Sequence, residues 1–297
     1  MILKRFQRKE TSRRPGRGNW AFLKTCGTVS SEMKPAAIIY TSLTIYSLCV
    51  NAHVLILENK LPPWILKMKQ TQLDHEIRLT KDEVLILGSM AEQAVLDSVA
   101  ALKDHDFEKS RALLENDKII NSKRFEIERF IIGIIATQHP VSRDLRVLTS
   151  ILDLSQELER IGDYAKGITT INLRSGGIGL PRLLRDLYHM SHKSADMLHR
   201  SLTAFNLEDV ELAEAIIQED ILIDSLYNQL YFEVLDNVVD DPRNIERVNH
   251  VLWAAHNLER TADRACNICE RTIFVATGKL GGMTTSYTSF EYQFHHA

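Results

Sequence analysis

The chain has 297 residues, 44% hydrophobic and 25% charged, with a formal net charge of −3. That balance describes a globular protein with apolar surface enough for one large domain or two ordinary ones. The charge is divided: residues 1–67 carry eleven Lys and Arg against three Glu, a net of +8, so residues 68–297 carry 25 basic and 36 acidic side chains, a net of −11. An acidic body repels phosphates and releases none of their counterions, which excludes a broad nucleic-acid face.

The cysteines are Cys26, Cys49, Cys266 and Cys269, too few and too scattered for a disulfide framework, so a reducing cytoplasm is the simplest compartment. Residues 1–34 are basic and rich in Gly, Ser, Thr and Arg. Pro35 to Leu57 then runs 23 residues with no Lys, Arg, Asp or Glu, long enough to span a bilayer. Thr41, Ser42, Thr44, Ser47, Asn51 and His53 dilute it, and it starts late for a cleaved signal peptide. Three readings stay open for residues 1–67: translated upstream sequence with a native start at Met68, a membrane anchor, or a disordered extension. The first fits the abrupt change of charge, and the segment is then dispensable for folding.

From Leu79 to about Gly278 the pattern is helical. Val84, Leu87, Met90, Ala91, Ala94, Val95, Ser98 and Leu102 recur at spacings of three and four, which predicts an amphipathic helix over 84–102. A second helix is expected over 107–135, with Phe125, Ile127, Ile131 and Ile134 on its apolar side. Gln138-His139-Pro140 stops it. The third, over 142–172, buries Val147, Ile151, Leu154, Leu158, Ala165 and Ile168. After the linker Ser175–Gly179 and Pro181 the plan repeats, with helices over 183–205, 209–239 and 244–277 and a break at Asp240-Asp241-Pro242. No run alternates with period two. The expectation is an all-α body of two tandem three-helix bundles, 68–175 and 182–280, followed by a flexible tail at 281–297.

The repeat is also local. Leu158-Glu159-Arg160-Ile161-Gly162-Asp163 returns one hundred positions later as Leu258-Glu259-Arg260-Thr261-Ala262-Asp263. Asp106 to Asp117 spans the same interval as Asp209 to Asp220. A long repeat of this kind marks one supersecondary unit used twice. Each six-residue motif places Glu and Asp on one helix face, where like charges repel unless a cation or a partner offsets them.

In the second unit the acidic pairs are Asp220/Asp224 and Glu259/Asp263, with Asn267 and Glu270 continuing the latter face. If the two helices are antiparallel neighbours, these oxygens converge into a hard-ligand set, suited to Mg²⁺, Mn²⁺, Ca²⁺ or an iron cluster more than to zinc held by sulfur. Solvated surface acids are the ordinary explanation of a single pair, but two pairs in each of two units weaken it. The first unit keeps Asp117, Glu159 and Asp163 but has Asn121, Gly167 and Thr170 where the second has Asp224, Asn267 and Glu270. A site there is expected to bind metal more weakly.

Other signals are quieter. Cys266-Asn267-Ile268-Cys269 sits mid-helix without a second pair and reads as two small buried side chains. Asp186/His189 and Asp196/His199 read as surface residues, because a di-iron bundle needs Glu-x-x-His on two helices and none occurs. There is no Gly-rich phosphate cradle and no Gly-x-Ser-x-Gly elbow.

The duplicated Leu-Glu-Arg-x-x-Asp segments, the first continuing Asp163-Tyr164-Ala165-Lys166, resemble the PhoU family of phosphate-transport regulators. Gln138 through Arg146 is similar to that family's loop between its second and third helices, and Met68 through Ala94 to its N-terminus. The resemblance covers about residues 68–280. It implies a cytoplasmic, all-helical, non-enzymatic protein of two three-helix bundles, a homodimer or higher oligomer, that represses the phosphate-starvation response. The implied partners are the ATPase of the phosphate ABC transporter and a phosphate-sensing histidine kinase. Some members bind multinuclear metal clusters through E(D)-x-x-x-D pairs, which correspond here to Asp220/Asp224 and Glu259/Asp263, and in the first unit to Asp117 and Glu159/Asp163. Two alternatives remain at this point: an accessory subunit of a low-affinity phosphate transporter, and a carboxylate-bridged metal enzyme on a helical bundle.

Overall fold

A computed structural model describes residues 63–279, which lie almost wholly within the compact unit that begins at Lys67. The Pro35–Leu57 stretch, the three readings of the N-terminal segment and the tail from 281 fall outside the described residues. Among the described residues every long regular element is an α-helix. The order is α1 (Pro63–Asp104), α2 (Phe107–Gln138), α3 (Ser142–Ser175), α4 (Pro181–Leu207), α5 (Val210–Asp240), a 3-10 turn (Pro242–Asn244) and α6 (Ile245–Thr277). Two three-helix halves result, as the periodicity predicts.

The helix ends show how closely the halves repeat. Asp106 caps α2 by accepting from the Lys109 N–H at 2.9 Å, and Asp209 caps α5 by accepting from the Leu212 N–H at 3.0 Å. Each satisfies one of the amide groups that a helix start leaves unpaired. The residue before each cap, His105 or Glu208, is left-handed at φ 57° and 56°. α3 and α6 both end on a left-handed glycine, Gly176 and Gly278, a conformation that costs a residue without Cβ little.

Helix α1 is longer than its apolar stripe, beginning at Pro63 and running helically through Met68. After an apolar first turn, Pro63–Leu66, the added residues are mostly polar but bury Leu73, Ile77 and Thr80. Part of α1 is long and apolar enough, by length and composition, to cross a membrane. Here Val84, Leu87, Ala91, Val95, Val99 and Leu102 are all core residues. The expected α3 stripe is buried without exception.

On α2 one residue departs from the expected apolar face. Phe125 is 55% exposed and carries the Arg124 guanidinium 4.0 Å above its ring. It lies two residues from the buried Ile127, about 200° round the helix, so it cannot share that stripe.

The halves meet along α3 and α6, which run antiparallel. Asp153 pairs with Arg271 at 3.2 Å, and Glu157 Oε2 accepts from Arg264 at 3.1 Å and Asn267 at 3.2 Å. Further along, Tyr164 lies under the Arg260 guanidinium at 4.9 Å. The first index rises as the second falls, so the pairs fix a single register. Around this seam α2 packs on α3, while α4 and α5 pack on α6 and on each other. Glu208, at the turn between α4 and α5, accepts from Lys81 of α1 at 2.8 Å and from Arg143 of α3 at 2.6 Å. Burial alone would raise the Glu208 pKa, but these two cations outweigh it and hold it below the ordinary value.

Within the first half, the buried Asn172 of α3 reaches the end of α1 and the start of α2. Its amide lies 3.0 Å from the Ala101 carbonyl, 2.9 Å from Ser110 Oγ and 3.3 Å from the Asp106 carbonyl. Replacing Asn172 with Ala leaves these acceptors short of a donor and is expected to cost about 1–3 kcal/mol. Thermal unfolding should show a midpoint lower by several degrees, whereas the exposed Lys118→Ala should leave it nearly unchanged.

Two unequal acidic sites

The equivalent cap positions align α2 with α5, and the duplicated motif aligns α3 with α6. Under that alignment Asp117, Asn121 and Arg124 correspond to Asp220, Asp224 and Tyr227, while Glu159, Asp163 and Lys166 correspond to Glu259, Asp263 and Cys266. The helices below are equivalent too: Ile120, Ile127 and Ile131 are buried, as are Ile223, Leu230 and Val234. The same backbone therefore carries two different charge arrangements.

In the second half, Asp220 and Asp224 of α5 face Glu259 and Asp263 of α6 closely enough to perturb one another. Asp220, Glu259 and Asp263 are half-buried, and Asp224 stands at the exposed edge. Burial first, then Asp263, Asp224 and Asp220, push the Glu259 carboxyl up to about 7, with Arg260 opposing weakly. Burial and then Asp224 and Asp263 push Asp220 up to about 6, against a hydrogen bond from the Cys266 thiol. Asp224 is raised by burial and by Asp263, and Asp263 by burial despite Arg264, Arg260 and His256. His256 Nδ1 lies 3.1 Å from Glu259 Oε2, but off the angle a hydrogen bond needs, so that buried oxygen has no hydrogen-bond partner. Tyr227, beside Glu259, offers no positive charge, and burial followed by Glu259 raises its own pKa.

These four carboxylates fit a hard divalent cation by donor type and by the repulsion a cation would relieve. As they stand they do not close on one point: among the described residues, no group of three or more His, Cys, Asp or Glu is arranged to hold an ion. Asn267 and Glu270 lie elsewhere. Asn267 donates to Glu157 across the seam, and Glu270 lines a polar cleft with Asp153, Gln156, Glu157 and Arg271. Both lie within about 40° of Asp263 round α6 but one and two turns further along it, beside Glu157 and Asp153 of α3.

In the first half Asp117 and Asp163 already have a cation beside them. Asp117 is 6% exposed, and its Oδ2 receives the Lys166 ammonium at 2.7 Å. The same ammonium lies 3.8 Å from Asp163. Asn121 turns its amide onto the Asp117 backbone carbonyl at 3.2 Å. Glu159 is raised by burial and then by Asp163, with Arg124 pulling the other way. Lys166 and Arg124 are the residues that reading the acids alone misses. The signal that finds them is the alignment of the two halves, which sets each cation over a neutral residue. Cys266 and Cys269 are buried thiols with pKa values raised by burial, Cys269 to about 12, consistent with inert core side chains.

The site thus sits on a duplicated six-helix scaffold, with acids on α2 and α3 in the first half and on α5 and α6 in the second. The PhoU domain family matches this chain twice, over residues 84–171 and 187–272. The phosphate-specific transport system accessory protein PhoU homolog of Rhizobium meliloti is 33% identical over 69% of this chain and 87% of its own length. The PhoU of Escherichia coli is 31% identical over 70% and 86%. The crystal structure of PhoU from Pseudomonas aeruginosa superposes with a TM-score of 0.66 at 31% identity, covering 69% of this chain and 99% of that one. PhoU from Streptococcus pneumoniae gives 0.64 at 30%, over 70% and 99%. The chain belongs to the PhoU family, whose members are regulators and not enzymes.

The raised carboxyls have a consequence for stability. Asp220 and Glu259 hold protons more tightly folded than unfolded, so their contribution is full below an unfolded pKa near 4 and is lost as pH rises through about 6 and 7. In chelator, the thermal midpoint should therefore fall as pH rises from about 4 to about 7 and level off above that. The Asp220→Asn, Glu259→Gln variant should flatten that fall.

Proposed function

We propose that this chain is a negative regulator of phosphate uptake and of the phosphate-starvation response, working in the cytoplasm by association. It links the ATPase of a phosphate ABC transporter to a phosphate-sensing histidine kinase, and its second half binds a divalent metal or iron cluster through Asp220, Asp224, Glu259 and Asp263. The observation that carries the metal reading is the four-carboxylate cluster across α5 and α6, whose pKa values stay raised despite His256, Arg260 and Arg264 nearby, with Glu259 Oε2 buried and without a hydrogen bond. Similarity to two proteins called phosphate-specific transport system accessory proteins, over 69–70% of this chain and 86–87% of theirs, supports the regulatory role.

Chemistry would come from the partners. Bound metal would supply charge neutralisation and structural order. This chain's part is to present its carboxylates on fixed helices and to shield them partly from water. The outer helices support association as well: Ile119, Phe130 and Ile132 of α2 and Ile221, Leu222 and Phe232 of α5 are exposed. Apolar side chains of this kind suit self-association or a protein partner, in keeping with a homodimer or higher oligomer. The acidic body gives no reason to expect nucleic acid.

Two measurements test this. A deletion strain should keep its phosphate-starvation genes on in phosphate-rich medium. Normal repression there would overturn the role and favour the low-affinity transporter reading. For the metal, Asp224→Ala with Asp263→Ala should remove most of the bound metal seen by elemental analysis, and Asp117→Ala with Asp163→Ala should remove much less. Unchanged metal in the first variant refutes the assignment.

A further inference from the structure

The two halves share a scaffold yet answer their acids differently, and the contrast centres on one side chain. Lys166 Nζ sits 2.7 Å from Asp117 Oδ2 and 3.8 Å from Asp163 Oδ1, reaching from the solvent-exposed edge of α3 to the enclosed Asp117 of α2. Its counterpart in the second half is Cys266, which is uncharged and buried. Arg124, near Glu159, likewise corresponds to Tyr227. Asp117 is the most enclosed acid of either set, and its second oxygen, Oδ1, is buried with no hydrogen-bond partner. The pocket around it is lined by Asn116, Gly162, Ala165, Lys166 and Thr169 among others. An enclosed carboxylate of this kind is stable only with a counter-charge held against it. The structure supplies that charge covalently.

We propose that Lys166 is the built-in cation of the first half, standing where a divalent ion would otherwise neutralise Asp117, Glu159 and Asp163, so that only the second half of this chain takes up metal. The inference rests on the metal reading of the second half for its contrast, but not for its own test. A tethered ammonium never dissociates, whereas a bound ion comes and goes with its free concentration. The first half is thus a metal-independent frame. The second is the half whose order can follow metal, because a ligand shifts only the equilibrium of the state it binds. Two like sites become one constitutive and one responsive.

The test uses the full chain and Mn²⁺ as probe, read by the electron paramagnetic resonance of the free ion. The background is Asp224→Asn with Asp263→Asn, which disables the second half without changing volume. With Lys166 present, this protein should bind no Mn²⁺ at stoichiometric concentrations. Adding Lys166→Met should create a site of about one equivalent per chain, at least about 10-fold tighter than anything in the parent, because Asp117 and Asp163 then lose the ammonium between them, beside a Glu159 already raised. Asp117→Asn should abolish the new site, and Lys166→Arg, which keeps the charge, should not create one. Mn²⁺ should also raise the thermal midpoint of the Lys166→Met protein and not of the parent.

Binding by the parent that Asp117→Asn removes would overturn the proposal, since the first half would then take metal beside its lysine. So would a Lys166→Met protein that keeps its helical circular dichroism and gains no Mn²⁺. Should Lys166→Met fail to fold, Lys166→Gln in the same background retains a polar contact and is read by the same criteria. Wild-type protein that binds no Mn²⁺ defeats the metal reading of the second half alone. A gain of Mn²⁺ on removing Lys166 would support the present proposal even then.

Discussion

The antiparallel seam between α3 and α6 sets everything else in this molecule. Its polar pairs, Asp153 with Arg271 and Glu157 with Arg264 and Asn267, run in one register with the Arg260–Tyr164 stack. Because the pairs are spread along both helices, a slip of one turn would break them together. The seam also fixes how each third helix is rotated. Once Glu157 faces α6, Glu159 and Asp163 must face α2. Once Arg264 and Arg271 face α3, Glu259 and Asp263 are turned from it towards α5. The acidic sites are thus products of packing far from any metal chemistry.

Each site then lives or dies by its counter-charge. A carboxylate moved half out of water beside others either pairs with a cation or takes up a proton. The first half takes the former course at Asp117, which Lys166 pairs, while Glu159 stays raised despite Arg124. The second has Cys266 and Tyr227 at those positions, and its carboxyls rise, Glu259 to about 7. Duplication gave both halves the same geometry, and a few substitutions at matched positions separated what they can do. Family membership alone does not reveal this, since the motif Leu-Glu-Arg-x-x-Asp is intact in both.

Much of the fold was legible in the chain itself. Stripes of period 3.6, proline at 140 and 242 and the glycines after Ser175 mark six helices in two equivalent sets, and the structure places them accordingly. The acidic pairs were legible for the same reason: spacing of four on a helix puts two side chains on one face. The start of α1 at Pro63 was not, because the short apolar run Pro63–Leu66 is followed by a mostly polar stretch that shows no stripe until Leu73. Phe125 reads as core by composition, yet its angular position two residues from Ile127 puts it outside, where a guanidinium covers it.

The amino-acid order by itself determined the helices, their duplication and which side chains share a helix face, since these follow from local periodicity and capping. Only the tertiary structure decided what each face meets. It sent Asn267 and Glu270 into the seam with α3 while Glu259 and Asp263 turned to α5, and it laid Lys166, forty-nine residues away in the chain, on Asp117. The reason is physical. A helical period fixes angles about one axis, but the rotation and register of two helices are set by the interdigitation of many side chains at once. No single spacing in the sequence encodes that sum.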